Sequence, residues 1–320
     1  MLVHLRLNVP TAVVDRVHRV LDEHPGTTNL TVHPGASVRP AGDLVECDVV
    51  RESADTVLEQ LGHTGLAETG GIVVSTPTST PFAAATRLEE RVPGDPDDAV
   101  LWDSVLEEAR AATRPAVSFH LFLVLATLLA AIAVVTDSAI LVIGAMVVGP
   151  EFGTVAAIAT GLVLRDPGLS WRAVRLLVTG FALAVALVGL LALLAEVTGL
   201  VSSEMVSRPR PQTGFIWHPD RWAFIVALVA GAAGVLAMTT DKSRAMIGVF
   251  IAVTTVPAAG NLALALGTWT VPEMRGSAAQ LVINLVGMVL SGTVVLLVQR
   301  VLAGRADPVR ARPWGTQTRR

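Results

Sequence analysis

The sequence predicts an α-helical polytopic membrane protein that carries a small α+β domain at its N-terminal end. The 320 residues are 52% hydrophobic and only 16% charged, with a mean hydropathy of +0.59, which is too apolar for a water-soluble globule of this length. The charged residues are dense in residues 1–114. Long apolar runs follow them, each able to cross a bilayer as a helix.

The same change in composition divides the chain into four parts. We expect a soluble ferredoxin-like domain in residues 1–80 and a linker with an amphipathic helix in residues 81–114. A six-helix transmembrane domain then covers residues 115–303, and a basic cytoplasmic tail covers residues 304–320.

The N-terminal part reads as alternating strands and helices. Val3, Leu5, Leu7 and Val9 alternate with polar residues, as in a half-buried strand. Helical spacing follows in residues 11–24, strands are indicated near 30–32 and 45–49, a second helix begins at about Ser53, and 72–74 form a last strand. The order β-α-β-β-α-β predicts a ferredoxin-like split sandwich, a fold that does not by itself specify a function.

Residues 75–96 are rich in Ser, Thr, Pro, Gly and Asp and read as a linker. The acids at 95–98 suit the first turn of a helix that carries Leu101, Val105 and Leu106 on one face to about Arg110. Two placements stay open for this helix. It lies at the membrane surface as an amphipathic connector, or it packs on the N-terminal domain.

Six apolar runs are long enough to span a bilayer as helices. Their residues are 116–135, 138–164, 173–196, 222–240, 244–267 and 277–300. Basic residues concentrate on one side of these spans. The cationic side carries Arg110, Arg114, Arg165, Arg172, Arg175, Lys242, Arg244, Arg300, Arg305, Arg310, Arg312, Arg319 and Arg320, and the other side Arg208, Arg210, Arg221 and Arg275. This bias predicts that both termini are cytoplasmic, in agreement with the single cysteine, Cys47.

The second and fifth runs share a motif. Thr136-Asp137 precedes Ile143-Gly144, Pro150 and Gly153, whereas Thr240-Asp241 precedes Ile247-Gly248, Pro257 and Gly260. Each motif lies in the second helix of a three-helix set, so the second set runs opposite to the first. The pattern predicts a 3+3 inverted repeat with two broken helices. Alternatively, Pro and Gly are simply common in membrane helices, where small residues allow close packing.

The helix breaks are predicted at Gly149, Pro150 and Gly153 in the first half, and at Pro257 and Gly260 in the second. Freed backbone groups at bilayer depth are tolerated only where protein or a water-filled cavity satisfies them. We therefore expect a substrate or ion site near the midplane, where the two broken helices converge.

Four polar residues are candidates for that site: Glu151, Asn261, Gln280 and Asn284. Glu151 is the one carboxylate deep in a run and suits a cation or proton site, or the counter-ion of a cationic substrate. A protonated Glu that ties the broken helix together is the alternative. Asn261 follows the second break and is a candidate partner of Glu151. Gln280 and Asn284 lie about one turn apart, and interhelical hydrogen bonding is the alternative role for them.

Asp137 and Asp241 each stand at the start of a broken helix and are interpreted as helix caps. The sequence contains no nucleophile elbow, P-loop, zinc motif or dinucleotide fingerprint, so we expect no enzyme, no cofactor and no metal site. A basic stripe with interleaved aromatic residues is also missing, which excludes nucleic acid as an expected partner. The expected partners are the lipid bilayer, an unidentified small solute or ion, and further copies of the chain, since small-residue faces favour a homo-oligomer.

The membrane half resembles the family of the domain of unknown function 389. The resemblance rests on Thr136-Asp137-Ser138, Ile143-Gly144-Ala145-Met146, Gly149-Pro150 and Gly153, with Pro257 and Asn284 later, and it covers about residues 116–303. Many relatives carry Ser-Pro-Leu-Met-Gly-Pro after the Gly-Ala-Met, whereas this chain continues as Gly149-Pro150-Glu151-Phe152-Gly153. The resemblance implies a multi-pass membrane protein and supplies no substrate.

Two functions follow as hypotheses. The first is a secondary transporter or channel for a small solute or ion, with the N-terminal domain as a cytoplasmic regulator. The second is a membrane sensor that does not transport and whose N-terminal domain binds a small ligand. In both, the protein is expected in the bacterial cytoplasmic (inner) membrane.

Overall fold

The computed structural model describes residues 1–91, 99–240 and 254–306, and the side chains of 1–90, 99–240 and 254–302. The described chain divides into two compact units. One contains Met1–Ser104 together with the described residues from Leu302 onward, and the other contains Val105–Val301.

The N-terminal unit is built on a four-stranded antiparallel sheet. Its elements are β1 (Leu2–Pro10), α1 (Val14–Glu23), β2 (Thr27–Val38), β3 (Ala41–Val50), α2 (Arg51–His63), α3 (Leu66–Thr69), β4 (Gly71–Ser75) and α4 (Ala83–Arg91). The strand order is β2-β3-β1-β4, with Leu5 opposite Cys47 on β3 and Val74 on β4. Along the chain, the strands and the two long helices follow one another in the order β-α-β-β-α-β, as the sequence predicts.

One face of the sheet makes the core of this unit. The alternating residues Val3, Leu5, Leu7 and Val9 are fully buried against α1 and α2, as period-2 patterning requires. Cys47 lies in the same core, where burial and then the charge of Asp48 raise the pKa of its thiol to about 12. The thiol therefore stays protonated and poorly reactive at neutral pH.

The connecting segment differs from its prediction. Helix α4 lies within residues 75–96, where only a linker was expected, because its apolar side chains have a partner: Ala85 and Leu88 are buried against Leu2 and Val50. The next helix, α5 (Trp102–Ala112), begins later than the acids at 95–98 suggested, and residues 92–98 lie outside the described part of the chain.

The second unit consists of apolar helices. They are α6 (Val117–Val135), α7 (Ala139–Val148), α8 (Glu151–Leu164), α9 (Pro167–Val197), the short α10 (Ser203–Ser207), a 3-10 turn (Gly214–Trp217), α11 (Arg221–Thr239), α12 (Thr255–Gly267) and α13 (Val271–Ala306). Four of the described helices are long and apolar enough to cross a membrane, or five spans if the bent pair α7–α8 counts as one. Only 28% of the most apolar 18-residue stretch of α13 is buried. Such exposed apolar surface on long helices indicates a multi-pass membrane protein.

The fifth predicted run, 244–267, is described only from residue 254. Helix α12 has 13 residues and is too short to count as a span by itself. Asp241, Lys242, Arg244, Ile247 and Gly248 lie outside the described residues, as does the rest of the chain from 241 to 253. Helices α9 and α13 begin earlier than their predicted runs, at Pro167 and Val271.

Small residues let the short helices α8 and α12 pack closely on neighbouring helices. A Cβ atom added at Gly260 on α12 would lie 2.8 Å from the carbonyl oxygen of Thr127 on α6, so α12 presses directly on that helix. The Cβ position of Gly267, also on α12, is 2.6 Å from Ala192 on α9. In the same way, α8 packs with Phe152 on Gly234 of α11, and Ala159 lies near Gly292 of α13. Both short helices are therefore packed by long helices: α12 by α6 and α9, and α8 chiefly by α9, with contacts to α11 and α13 as well.

Candidate functional site

The first predicted break is present. Helix α7 ends at Val148, Gly149 is extended, and α8 begins at Glu151, with 53° between the two helices. Pro150 occupies the N-cap position, where its missing N–H leaves no intrahelical bond unmade. The break thus follows from local chemistry at Gly149-Pro150.

Glu151 is the first residue of α8 and is only 8% exposed. Its Oε2 atom has no hydrogen-bond partner among the described residues. A carboxyl group in that position is costly to bury unless it is protonated or meets a ligand. A carboxylate at the start of α8 also faces the favourable end of the helix dipole.

The second proline lies in the first turn of α12. The helix begins at Thr255, so Pro257 is its third residue, a position that tolerates the missing N–H. Thr255, Val256 and Pro257 are all buried. The hydroxyl oxygen of Thr255 has no hydrogen-bond partner within the described part of the chain.

The two helix starts meet. A Cβ atom added at Gly149 would lie 2.7 Å from Cγ2 of Val256, and it would also collide with Oε2 of Glu151. Glycine is therefore required where the first break touches the start of α12. We call Gly149, Glu151, Thr255 and Val256 the junction.

Gln280 and Asn284 reach the residue that precedes α12. The Thr254 hydroxyl accepts hydrogen bonds from Nε2 of Gln280, at 3.1 Å, and from Nδ2 of Asn284, at 2.9 Å. Gln280 also donates to Oδ1 of Asn284, at 3.4 Å. The prediction that these two side chains share one face of a helix is confirmed, and a role as ligands stays a prediction. The Oε1 atom of Gln280 is buried and has no described partner.

Asn261 lies further along α12, in a different environment from the one predicted. Its Oδ1 accepts from the Arg210 guanidinium at 2.9 Å, and its Nδ2 donates to Glu273 at 3.0 Å and to the Ser277 hydroxyl at 2.8 Å. Arg210 and Glu273 form an ion pair at 2.6 Å, with side chains 1% and 3% exposed. No hydrogen bond joins Asn261 to Glu151 in the described chain, because the amide is already satisfied by this network.

Arg210, Glu273 and Ser277 were not predicted as site residues. The signal for two of them was present, since residues 273, 277, 280 and 284 recur at the spacing of one helix face. All four are buried. Arg210 comes from the α10–α11 connection, and nothing in its local sequence indicates that it packs inside.

The interpretation of Asp137 as a helix cap is wrong. Ser138 is the N-cap residue of α7, and its hydroxyl accepts from the Leu141 N–H at 3.4 Å. Asp137 has a positive φ of 48°, and its carboxylate accepts from the backbone N–H and the hydroxyl of Thr213, each at 2.9 Å, and from the N–H of Gln212. It ties the α6–α7 corner to the α10–α11 connection.

Gly153 and Gly260, predicted as parts of the breaks, lie inside α8 and α12 and do not interrupt them. Gly260 is held against α6, whereas a Cβ at Gly153 would make an ordinary contact, 3.4 Å from Cβ of Ala112. Gly260 therefore serves close packing, whereas no described contact requires glycine at position 153.

Two open grooves lie on this unit, and neither includes Glu151 or Asn261 in its lining. One lies at the α8–α9 turn and the other at the start of α11. Within residues 1–91, 99–240 and 254–306, no three His, Cys, Asp or Glu side chains are grouped so that they could hold a metal ion.

Comparison with known proteins supports the family resemblance. Residues 146–290 match the family model described as domain of unknown function (DUF389), which confirms the resemblance that the motifs suggested. The chain is also similar to the uncharacterized protein MJ0678 of Methanocaldococcus jannaschii, with 25% identity over 175 residues. That alignment covers 55% of this chain and 52% of the relative, so the chain spans about half the length of the relative it matches. No solved structure matches.

Proposed function

We propose that this protein is a secondary transporter or channel in which a small solute or ion passes through the junction of α8 and α12. The observation that carries the proposal is the contact of the two helix starts, Gly149 against Val256, beside a buried carboxyl group whose Oε2 atom has no described partner. Half helices that begin near the middle of a membrane are the feature around which transporters build their binding sites.

The proposal includes six spans arranged as a 3+3 inverted repeat. Two features support it. Helix α12 packs on α6 and α9 of the first set, and α8 contacts α11 and α13 of the second set in addition to its main neighbour, α9. The Pro-x-x-Gly motif also starts both half helices, at Pro150 and at Pro257.

Glu151 is proposed to bind a proton or a cation. Its carboxyl is buried, and its Oε2 atom lies beside Gly149. Two further buried oxygens lack described partners: Oγ1 of Thr255, next to Val256 in the chain, and Oε1 of Gln280, whose amide nitrogen bonds to Thr254. Both are neutral oxygens that suit a cation or a protonated group. The same proposal places the protein in the bacterial inner membrane with both termini cytoplasmic. It also makes the N-terminal unit the regulator and the protein a homo-oligomer.

Ion flux tests the proposal. The full chain is reconstituted into liposomes that contain a pH-sensitive dye, and gradients of H⁺, Na⁺, K⁺ and small organic ions are applied. We expect the wild type to move protons or charge under at least one gradient, and Glu151→Gln to lower the rate at least about tenfold, as loss of a required proton-transfer group does. Glu196→Gln, near the end of α9, is the matched control and should keep the wild-type rate.

A membrane sensor that does not transport is the second candidate. The observation that favours it is the network of Arg210, Asn261, Glu273 and Ser277, which is buried and internally satisfied, as in a static anchor. If liposomes with the protein behave like empty ones under every gradient, the transport proposal is contradicted and the sensor is favoured.

A further inference from the structure

The groove at the α8–α9 turn combines an apolar wall with a basic rim. It follows the two helices where they meet at Arg165, the left-handed residue that ends α8 with a φ of 57°. Its lining includes Ile158, Leu162 and Val174 on the apolar side and Arg165, Ser170 and Trp171 on the polar side. Trp171 is 66% exposed, at the end of a span where tryptophans mark the membrane interface.

The positive charge at this groove is not neutralised within the described chain. Arg165 lines the groove, and Arg172 and Arg175 directly follow the lining residues Trp171 and Val174 on α9. All three arginines are exposed, and none of them forms an ion pair with a described acidic residue. The neighbouring acid, Asp166, is the N-cap of α9, where its carboxylate accepts from the Leu169 N–H at 2.9 Å, and it is not part of the groove lining. Arg300 adds a further guanidinium nearby, since it donates to the carbonyl oxygen of Val163.

The groove at the start of α11 offers an internal comparison. It is also lined by apolar residues, Phe224, Ile225 and Ile283, and it also has an arginine, Arg221. Here, however, an acid lines the groove beside the arginine: Asp220. The two grooves therefore differ in net charge more than in shape or in apolar content.

We propose that the α8–α9 groove binds an anionic phospholipid. One acyl chain lies along Ile158, Leu162 and Val174, and the phosphate lies at the rim, where Arg165 provides a guanidinium that can bind two phosphate oxygens. Basic pockets between membrane helices are suited to lipid phosphates, because the apolar wall continues into the bilayer. The lining of the other groove contains one acid and one arginine, Asp220 and Arg221, so it carries no net positive charge that would favour an anion. This inference is independent of transport through the junction.

Native mass spectrometry of the full chain tests the proposal. The protein is equilibrated with equal amounts of phosphatidylglycerol and phosphatidylcholine, and the lipids that remain bound are counted. We expect the wild type to retain phosphatidylglycerol in preference. Arg165→Ala should reduce that preference about fivefold, and adding Arg175→Ala should reduce it further by a similar factor, since each arginine near the headgroup contributes about equally. Arg221→Ala is the matched control and should leave the preference unchanged.

A second variant separates chain binding from charge. Val174→Trp fills the apolar wall without altering any charge, and we expect it to lower retention of both lipids at this groove. Three results would overturn the proposal: equal retention of the two lipids by the wild type, equal losses in Arg165→Ala and Arg221→Ala, or displacement of phosphatidylglycerol by millimolar inorganic phosphate. The last result would assign the arginines to a soluble anion. A thermal melt of each variant in phosphatidylcholine shows that it is folded.

Discussion

Helices α8 and α12 are alike in construction and different in the chemistry that surrounds them. Helix α8 has 14 residues and α12 has 13, and both are buried on almost every side. Each carries a glycine three residues after a proline, which is the N-cap residue of α8 and lies in the first turn of α12. A helix that is apolar all round must be enclosed by other helices. Helix α12 lies against α6 and α9, and α8 lies mainly against α9, with further contacts to α11 and α13.

Their polar residues differ at two positions, four residues after each proline and one residue after it. Position 154 on α8 is a threonine, whose hydroxyl donates to the Ala112 carbonyl at a long 3.4 Å. The matching position on α12 is Asn261, the centre of a network with an ion pair. Directly after each proline, it is α8 that carries the polar residue. The carboxylate of Glu151 follows Pro150 on α8, whereas the apolar Ala258 follows Pro257 on α12.

Shared architecture therefore does not require shared polar contacts. Helix α12 is joined to α13 by hydrogen bonds at two levels, through Thr254 and through Asn261. Helix α8 has mostly apolar packing and keeps a carboxyl oxygen without a described partner at its start. Apolar contacts are less directional than hydrogen bonds. A movement of α8 relative to α12 would therefore break fewer directional contacts at α8 than at α12.

The largest expected effect is on the buried ion pair. Glu273→Ala leaves the Arg210 guanidinium buried without its carboxylate, and we expect a loss of about 3–5 kcal/mol in the free energy of unfolding. Equilibrium unfolding of the purified chain in detergent measures this loss.

Two controls sharpen that measurement. Glu204→Ala removes an exposed carboxylate from α10 and should change stability by less than about 0.5 kcal/mol. The double variant Arg210→Met/Glu273→Leu removes both charges and should recover most of the loss. A Glu273→Ala variant as stable as the wild type would show that α12 does not depend on the network.

A smaller effect is expected at the contact of the two breaks. Gly149→Ala introduces a Cβ atom too close to Val256 and to the Glu151 carboxyl, and should cost about 1–3 kcal/mol. The same unfolding measurement applies. Gly144→Ala, on the same helix α7, adds a Cβ that makes an ordinary contact 3.6 Å from Leu129, and should be close to neutral.

A double-mutant cycle locates the origin of that cost. Val256→Ala removes the methyl group that the added Cβ atom would strike, so the double variant should recover part of the stability lost by Gly149→Ala. Strict additivity of the two changes would contradict the contact between the breaks.

The local parts of this architecture could be predicted from the sequence. The break at Gly149-Pro150 follows from the missing N–H of proline, and the shared face of Gln280 and Asn284 follows from their spacing. The order of strands and helices in the N-terminal unit likewise follows from alternating apolar residues and helical spacing.

The contacts between distant segments could not be predicted in this way. Asn261 was expected near Glu151, but an arginine from a connection 51 residues away takes its amide oxygen. Asp137 looked like a helix cap, whereas its carboxylate bonds to a backbone 75 and 76 residues further on. Such pairings depend on which loop folds over which helix end, and single-residue chemistry does not encode that choice.

Water access at the junction tests the central claim most directly. The Thr255→Cys variant of the full chain is reconstituted in liposomes and treated with a membrane-impermeant thiol reagent, and Ala263→Cys, packed in the apolar core of the same helix, is the control. The wild type is the blank, because Cys47 is buried and protonated. We predict labelling at position 255 at a rate at least about tenfold above position 263, as an aqueous path past buried polar backbone requires. Equal, negligible labelling at both positions would mean that the junction is sealed and would contradict a pathway between α8 and α12.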